Sequence, residues 1–290
     1  MKLLTSMSTK IDKSQNDEYL NAILYLEPTY NDKVCIAKSA GCSASCLVNS
    51  GRMIMKNAVD ARYKRTNFLF ANRDAFMAQL QAEIWVLRRK ATKQGKKLAM
   101  RLNGTSDLDW SEMYGLFPDV QFYEYTKRPD LALKMAKFEN VHFTFSYTER
   151  TKDETMQKML DRGHNVAVVF KDKLPATFKG IPVIDGDKHD RRFEDTKGRI
   201  VGLKLKGTNA VKAIAISTGF ANWNRGIIVI TFEGEIMDYY QSAHDMEISR
   251  ARALREIYNH GAVDDLEEFY AEYGFQATYL AQDVLDWLGY

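Results

Sequence analysis

The sequence predicts an α/β protein built on a parallel sheet, a (β/α) barrel or partial barrel, followed by an acidic, mainly helical C-terminal region. Three observations predict it. Short apolar runs alternate with helical ones between Asn72 and Leu205, the rhythm of βαβ units. The run Asn165-Val-Ala-Val-Val-Phe170 is continuously apolar, as a strand covered on both faces requires. Polar groups recur just after the strand-like runs, where parallel barrels build their sites. An open doubly wound sheet is the competing arrangement of the same units.

A length of 290 residues suits one such barrel or two smaller domains. Hydrophobic residues at 45% and charged residues at 27% exclude collagen-like and wholly disordered chains. No stretch approaches about 18 uncharged apolar residues, and residues 1–16 lack the apolar core of a signal peptide. A cytoplasmic protein with no membrane contact is expected.

Residues 1–19 are polar without an apolar period and are expected to form a flexible lead-in. The first strand is expected at 22–27, closed by Pro28. A cysteine-bearing loop follows it. From Asn72, a good N-cap, Phe76, Leu80, Ile84 and Leu87 recur at helical spacing until Gly95 supplies a stop. Further strands are expected at 97–102, 120–125, 141–146, 165–170 and 181–184, with helices at 131–138 and 154–162 between them. Beyond Gly198 come strands at 200–205 and 227–232, then helices at 248–258, 266–273 and 278–287. The domain reading is a lead-in over 1–19, a barrel domain over 20–232 and an acidic helical region over 233–290.

The strand-end segments are Asn103-Gly-Thr-Ser-Asp107, Thr126-Lys127, Ser146-Tyr-Thr-Glu149 and Asp185-Gly-Asp187. Each alone is an ordinary turn or cap. Four in succession point to a shared polar mouth, with Asp107, Lys127 and Asp187 as candidate catalytic groups and Tyr125 and Ser146 as candidate cofactor contacts.

Three cysteines, an odd number, all fall between Cys35 and Cys46, so a disulfide framework is not indicated. The spacing Cys35-x6-Cys42-x3-Cys46, with Gly41 and Ser39, Ser43 and Ser45 in the loop, allows three thiolates to converge. Three soft ligands suit an iron–sulfur cluster or zinc. Structural zinc takes four protein ligands, and the nearest histidine in the chain is the distant His142. Three thiolates leave one position open, as a cluster binding a small molecule at one iron requires. Free cysteines are also often simply buried, and that reading stays open.

A short first strand, a three-cysteine loop directly after it, a helix and a second strand ending in a Gly-containing polar turn resembles the layout of the radical S-adenosylmethionine enzymes. The combination of the cysteine spacing with Arg65-Thr66-x-Phe68-Leu69-Phe70, Arg101-Leu-Asn-Gly-Thr-Ser-Asp107, Tyr123-x-Tyr125-Thr126-Lys127 and Asn165-Val-Ala-Val-Val-Phe170 more closely resembles an uncharacterised family of bacteriophage proteins. That resemblance covers residues 22–207. The resemblance to the radical enzymes implies a 4Fe-4S cluster on Cys35, Cys42 and Cys46, with S-adenosylmethionine chelated at the unique iron and its amino group met by Asn103, Gly104, Thr105 and Asp107. The phage resemblance also implies a place in the host cytoplasm. The cysteine spacing departs from the usual Cys-x3-Cys-x2-Cys, and Ser45 stands where an aromatic residue usually precedes the last cysteine.

The net charge of +3 hides a polarity. From Arg52 to Arg101 there are 13 Lys/Arg against 3 Asp/Glu, whereas residues 233–290 have 3 against 13. The basic span interleaves Tyr63, Phe68 and Trp85 with its cations, as a surface following a phosphate backbone does, although a solvated helix face reads the same way. Residues 185–192 gather three carboxylates, His189 and two arginines, either a metal or acid/base site or a self-paired charged loop. Lys204-x-Lys206 could meet phosphate, but no Walker, dinucleotide or serine-hydrolase motif is present.

The leading expectation is an iron–sulfur, S-adenosylmethionine-binding phage enzyme acting on a nucleic acid or nucleotide-like substrate. The alternative is a non-catalytic nucleic-acid-binding or host-interaction protein whose cysteine loop holds zinc or no metal. A third option is a transglycosylase-like barrel using Asp107 and Asp187, with zinc on the cysteines.

Overall fold

The computed structural model describes residues 1–6, 18–221, 246–259 and 265–288; the strand expected at 227–232 lies outside them. The chain divides into two compact units, Met1–Asn224 and Arg225–Tyr290.

The first unit is built on a nine-stranded, largely parallel sheet. Its strands are β1 (Leu4–Thr5), β2 (Tyr19–Leu24), β3 (Lys97–Arg101), β4 (Gln121–Thr126), β5 (Val141–Ser146), β6 (Asn165–Phe170), β7 (Thr177–Phe178), β8 (Ile181–Asp185) and β9 (Ile200–Lys204). They lie in the order β1-β2-β3-β4-β5-β6-β9-β8-β7. Every pair from β2 to β8 is parallel, and β1 and β7 add short antiparallel edges. Through β6 the order follows the chain and never reverses, unlike a doubly wound sheet.

The helices are α1 (Ala40–Ala44), α2 (Lys56–Ala71), α3 (Arg73–Lys93), α4 (Ser111–Leu116), α5 (Pro129–Met135), α6 (Asp153–Asp161) and α7 (Asn209–Ser217). The spacing that predicts α3 is the spacing that buries it: Phe76, Leu80, Ile84 and Leu87 all enter the core. Its ends are specified locally. The Asn72 side chain accepts from the Ala75 N–H, and Gly95 follows the last turn at φ +67, a conformation costly for other residues. Pro129 starts α5, where its missing N–H is no loss. Burial of Val166, Val168 and Phe170 in the main core, with Ala167 also buried, explains the unbroken apolar run of β6.

The two faces of the sheet are covered differently. On β4, Phe122 packs on Tyr114 of α4 at 4.9 Å, while the next residue, Tyr123, packs on Phe193 at 5.7 Å. Successive strand residues point to opposite faces, so helices cover one face and residues 186–199 the other. Because β8 and β9 are parallel neighbours, this segment has to return from the end of one to the start of the other. It carries Arg192, fully buried beside Asp195 at 3.2 Å, and Asp190, paired with Arg101 of β3 at 3.4 Å.

Part of the expected lead-in is ordered: Leu3 and Leu4 are buried, and their N–H groups donate to Glu83 of α3. Residues 7–17 lie outside the described residues. The first strand begins and ends three residues earlier than expected, its register set by pairing of Tyr19 with Lys97.

In the second unit, β10 (Glu247–Ser249) pairs antiparallel with β11 (Thr278–Leu280), beside α8 (Arg250–Asn259), α9 (Leu266–Tyr273) and α10 (Ala281–Trp287). Phe269 is its buried centre, touching Tyr273, Tyr279 and Trp287. The helix expected over 278–287 therefore opens as a strand, since Tyr279 is buried between exposed neighbours, a period of two. No helix among the described residues is long and apolar enough to cross a membrane.

Candidate functional site

The cysteine loop leaves the end of β2 and is clamped at both ends by α2. Arg62 Nε bonds Glu27 Oε2 at 2.9 Å with both side chains buried, and its NH1 donates to the Met53 carbonyl on the far side of the loop. The Glu27 N–H donates to Thr66 Oγ1 at 2.8 Å. In the middle of the loop, α1 is tied to chain following other strands. Glu149, after β5, accepts from Ser39 Oγ at 2.6 Å and from the Gly41 N–H at 2.8 Å. A Cβ on Gly41 would fall 2.3 Å from Phe220 Cβ and from Thr218 Oγ1, so only glycine lets α1 seat against the end of α7. Cys42 packs there with Leu205, Ala215 and Phe220.

All three cysteines are free thiols, Cys35 buried and the other two partly so. Burial pushes the Cys35 thiol up to about 11; Lys127 pulls the other way, while Asp107, Cys42 and Cys46 add to the rise. Burial also raises Cys46, with Cys42 adding to it and Lys127 opposing. The Cys35 thiol thus feels both other thiols and Lys127, and the Cys46 thiol feels Cys42 and Lys127. Burial works against the charge on Lys127, yet Cys42, Cys35, Asp107 and Cys46 together raise it above its ordinary range. Its Nζ has no hydrogen bond or ion pair among the described residues. The sulfurs are neighbours without being drawn to a point: among the described residues no three His, Cys, Asp or Glu side chains are gathered as they would be around one ion.

The polar turn after β3 is committed to the fold. Asn103 Oδ1 accepts from Ser106 Oγ, the Leu108 N–H and Trp110 Nε1, and its Nδ2 donates to the Leu108 carbonyl. Thr105 Oγ1 donates to the Leu26 carbonyl. Gly104 passes so close to β2 that a Cβ would meet the Leu24 carbonyl at 2.5 Å. Asp107 is fully buried, accepts from Thr126 Oγ1 at 2.8 Å and the Lys127 N–H at 2.9 Å, and thereby fixes where Lys127 leaves β4.

The remaining candidates are Tyr125, Ser146 and Asp187. Tyr125 lies under the Arg101 guanidinium at 4.4 Å, its hydroxyl pushed up to about 12 by burial. Ser146 ends β5 half-buried. Asp187 accepts from Lys206 Nζ at 2.6 Å and the Lys204 N–H at 3.0 Å, which hold it below its ordinary range although burial opposes this. The 185–192 segment is thus largely self-paired or turned onto the sheet.

Sequence reading placed Glu149 at a strand end without a role and missed two other carboxylates that hold this region, Glu27 and Glu124. Glu124 is fully buried, accepts from the Leu102 and Asn103 N–H groups at 2.8 Å each, and is pushed up to about 7 by its burial. Its position in β4, two residues from Phe122 and so on the same face, was the available signal.

Residues 2–222 match the family model described as gene product 88, which fits the phage-family resemblance of the motifs and extends it at both ends. No curated protein and no solved structure matches the chain.

Proposed function

We propose that this chain, which belongs to the gene product 88 family, is an enzyme that holds an iron–sulfur cluster on Cys35, Cys42 and Cys46 at the mouth of a parallel partial barrel. Its open coordination position takes S-adenosylmethionine, and its substrate is a nucleic acid or nucleotide-like anion. One observation carries the reading: Lys127, whose Nζ makes no hydrogen bond or ion pair among the described residues, is acted on by all three thiols together with Asp107. A desolvated, unpaired charge is costly, and thiols ionise on binding metal, so a thiolate-bound cluster supplies the negative charge that neutral thiols lack.

The partial barrel is supported by the chain-ordered strands and by α1, which links chain after β2 to chain after β5 and β9. Bound there, the cluster supplies an iron position for a chelating ligand. The protein's own part is to hold the loop through Arg62–Glu27 and Glu149 and to offer the Lys127 charge. The Asn103–Thr105 turn does not fit the ligand-binding role that the resemblance implies, because its hydrogen-bonding groups are spent within the fold.

The test is anaerobic reconstitution with iron and sulfide. Absorbance near about 400 nm from thiolate–iron charge transfer is expected in the wild type and lost in Cys35→Ala. Its absence in the wild type overturns the reading. The committed turn favours a second reading, a non-catalytic nucleic-acid-binding or host-interaction protein with zinc or no metal on the loop, for which stoichiometric zinc or no metal, and no iron, is the expected content.

A further inference from the structure

Helix α2 is inside out. It buries Arg62 and Thr66 beside Leu69, while Tyr63 and Phe70 remain 42% and 39% exposed. Ordinary amphipathic helices do the reverse. Part of the inversion is explained by Arg62 and Thr66 gripping the cysteine loop, but that grip does not require aromatic residues outside. The two exposed rings lie seven residues apart, on one face and two turns from each other. Tyr30, from the cysteine loop, joins them. Its ring is 5.8 Å from Phe70 at an interplanar angle of 13° and 6.1 Å from Tyr63, and its hydroxyl donates to Asn67 Oδ1 at 2.9 Å. The three rings are therefore positioned by one another before any partner arrives. Two cations lie near them in the chain, Lys64 next to Tyr63 in α2 and Arg52 next to Met53, whose carbonyl meets Arg62 of α2, and neither has a hydrogen bond or ion pair from its charged group among the described residues.

We infer that Tyr30, Tyr63 and Phe70, together with Lys64 and Arg52, form a stacking platform for single-stranded nucleic acid. Partly exposed rings fixed in place accept any base, and unpaired cations accept the phosphates between them. Duplex DNA keeps its bases stacked inside and has nothing to offer the rings. The inference rests on the nucleic-acid substrate of the reading above and is independent of the cluster.

The test is fluorescence anisotropy with labelled oligothymidylate and oligouridylate, and with a duplex of equal length, on the full chain. Tyr63→Ala and Phe70→Ala, both at exposed positions, are expected to weaken single-strand binding about five- to a hundredfold each, and Phe70→Tyr to retain it. Lys64→Glu is expected to weaken binding and to flatten its salt dependence. Wild-type chain prepared without added iron or sulfide is expected to bind as the reconstituted chain does, so failed cluster reconstitution and a failed platform are read separately. No binding of either oligonucleotide overturns the platform. So does equal binding of the duplex with no effect of Tyr63→Ala or Phe70→Ala, which would mark backbone electrostatics alone.

Discussion

Lys127 concentrates the chemistry of the site in one atom. Lys127→Met keeps most of the side chain's volume and removes the charge, so it is expected to lower the iron retained after reconstitution several-fold, whereas Lys127→Arg retains it. Arg62 is structural in the same neighbourhood. Arg62→Met leaves Glu27 buried without its counter-charge and is expected to cost about 3–5 kcal/mol in denaturant unfolding. Two buried groups titrate with opposite sign. Glu124 has its folded value raised to about 7, so its contribution falls as pH rises from about 4.5 towards 7. His142 has its folded value lowered to about 4 by burial, with His164 and Lys197 adding to it, so its contribution falls as pH drops from about 6.5 towards 4. Urea midpoints measured between these limits should therefore change in opposite senses: relative to wild type, Glu124→Gln gains stability as pH rises and His142→Gln gains it as pH falls. Parallel profiles for both variants would contradict the assigned directions.

At the level of elements, legibility followed the face a segment buries. Helix α3 was readable because Phe76, Leu80, Ile84 and Leu87 bury a regular apolar stripe, and β5 and β6 were readable to the residue. Helix α2 was not, because Arg62 and Thr66 occupy its inner face and break the apolar period. The roles of Glu27, Glu124 and Glu149 were hidden because each carboxylate takes a partner 20 or more residues away, Arg62 for Glu27, the Leu102 and Asn103 N–H groups for Glu124 and Ser39 with Gly41 for Glu149. The cysteine spacing showed that three thiols could meet. It held no signal that α1 seats on α7, which depends on Gly41. Gly41→Ala is expected to cost about 1–3 kcal/mol in thermal or denaturant unfolding through overpacking against Phe220 and Thr218, and to lower cluster loading with it.

Across the whole molecule, the chain-ordered parallel sheet was legible from the alternation of runs, while the return of residues 186–199 over its second face was not. Alternating runs set the order of elements; they do not say where a polar connection lies once Arg192 and Asp190 find buried partners. The family match ends at residue 222, close to the division between the two units. The thiols and Lys127 all belong to the first unit, which has its own core. A chain of residues 1–224 is therefore expected to reconstitute with the same iron content as the full chain. The most direct test of the central claim is elemental: iron, zinc and acid-labile sulfide per chain in protein purified without oxygen. About four iron and four sulfide per chain, falling to background when Cys35, Cys42 and Cys46 are all replaced by alanine, is the result the account predicts. Stoichiometric zinc, or iron unchanged by that triple replacement, would contradict it.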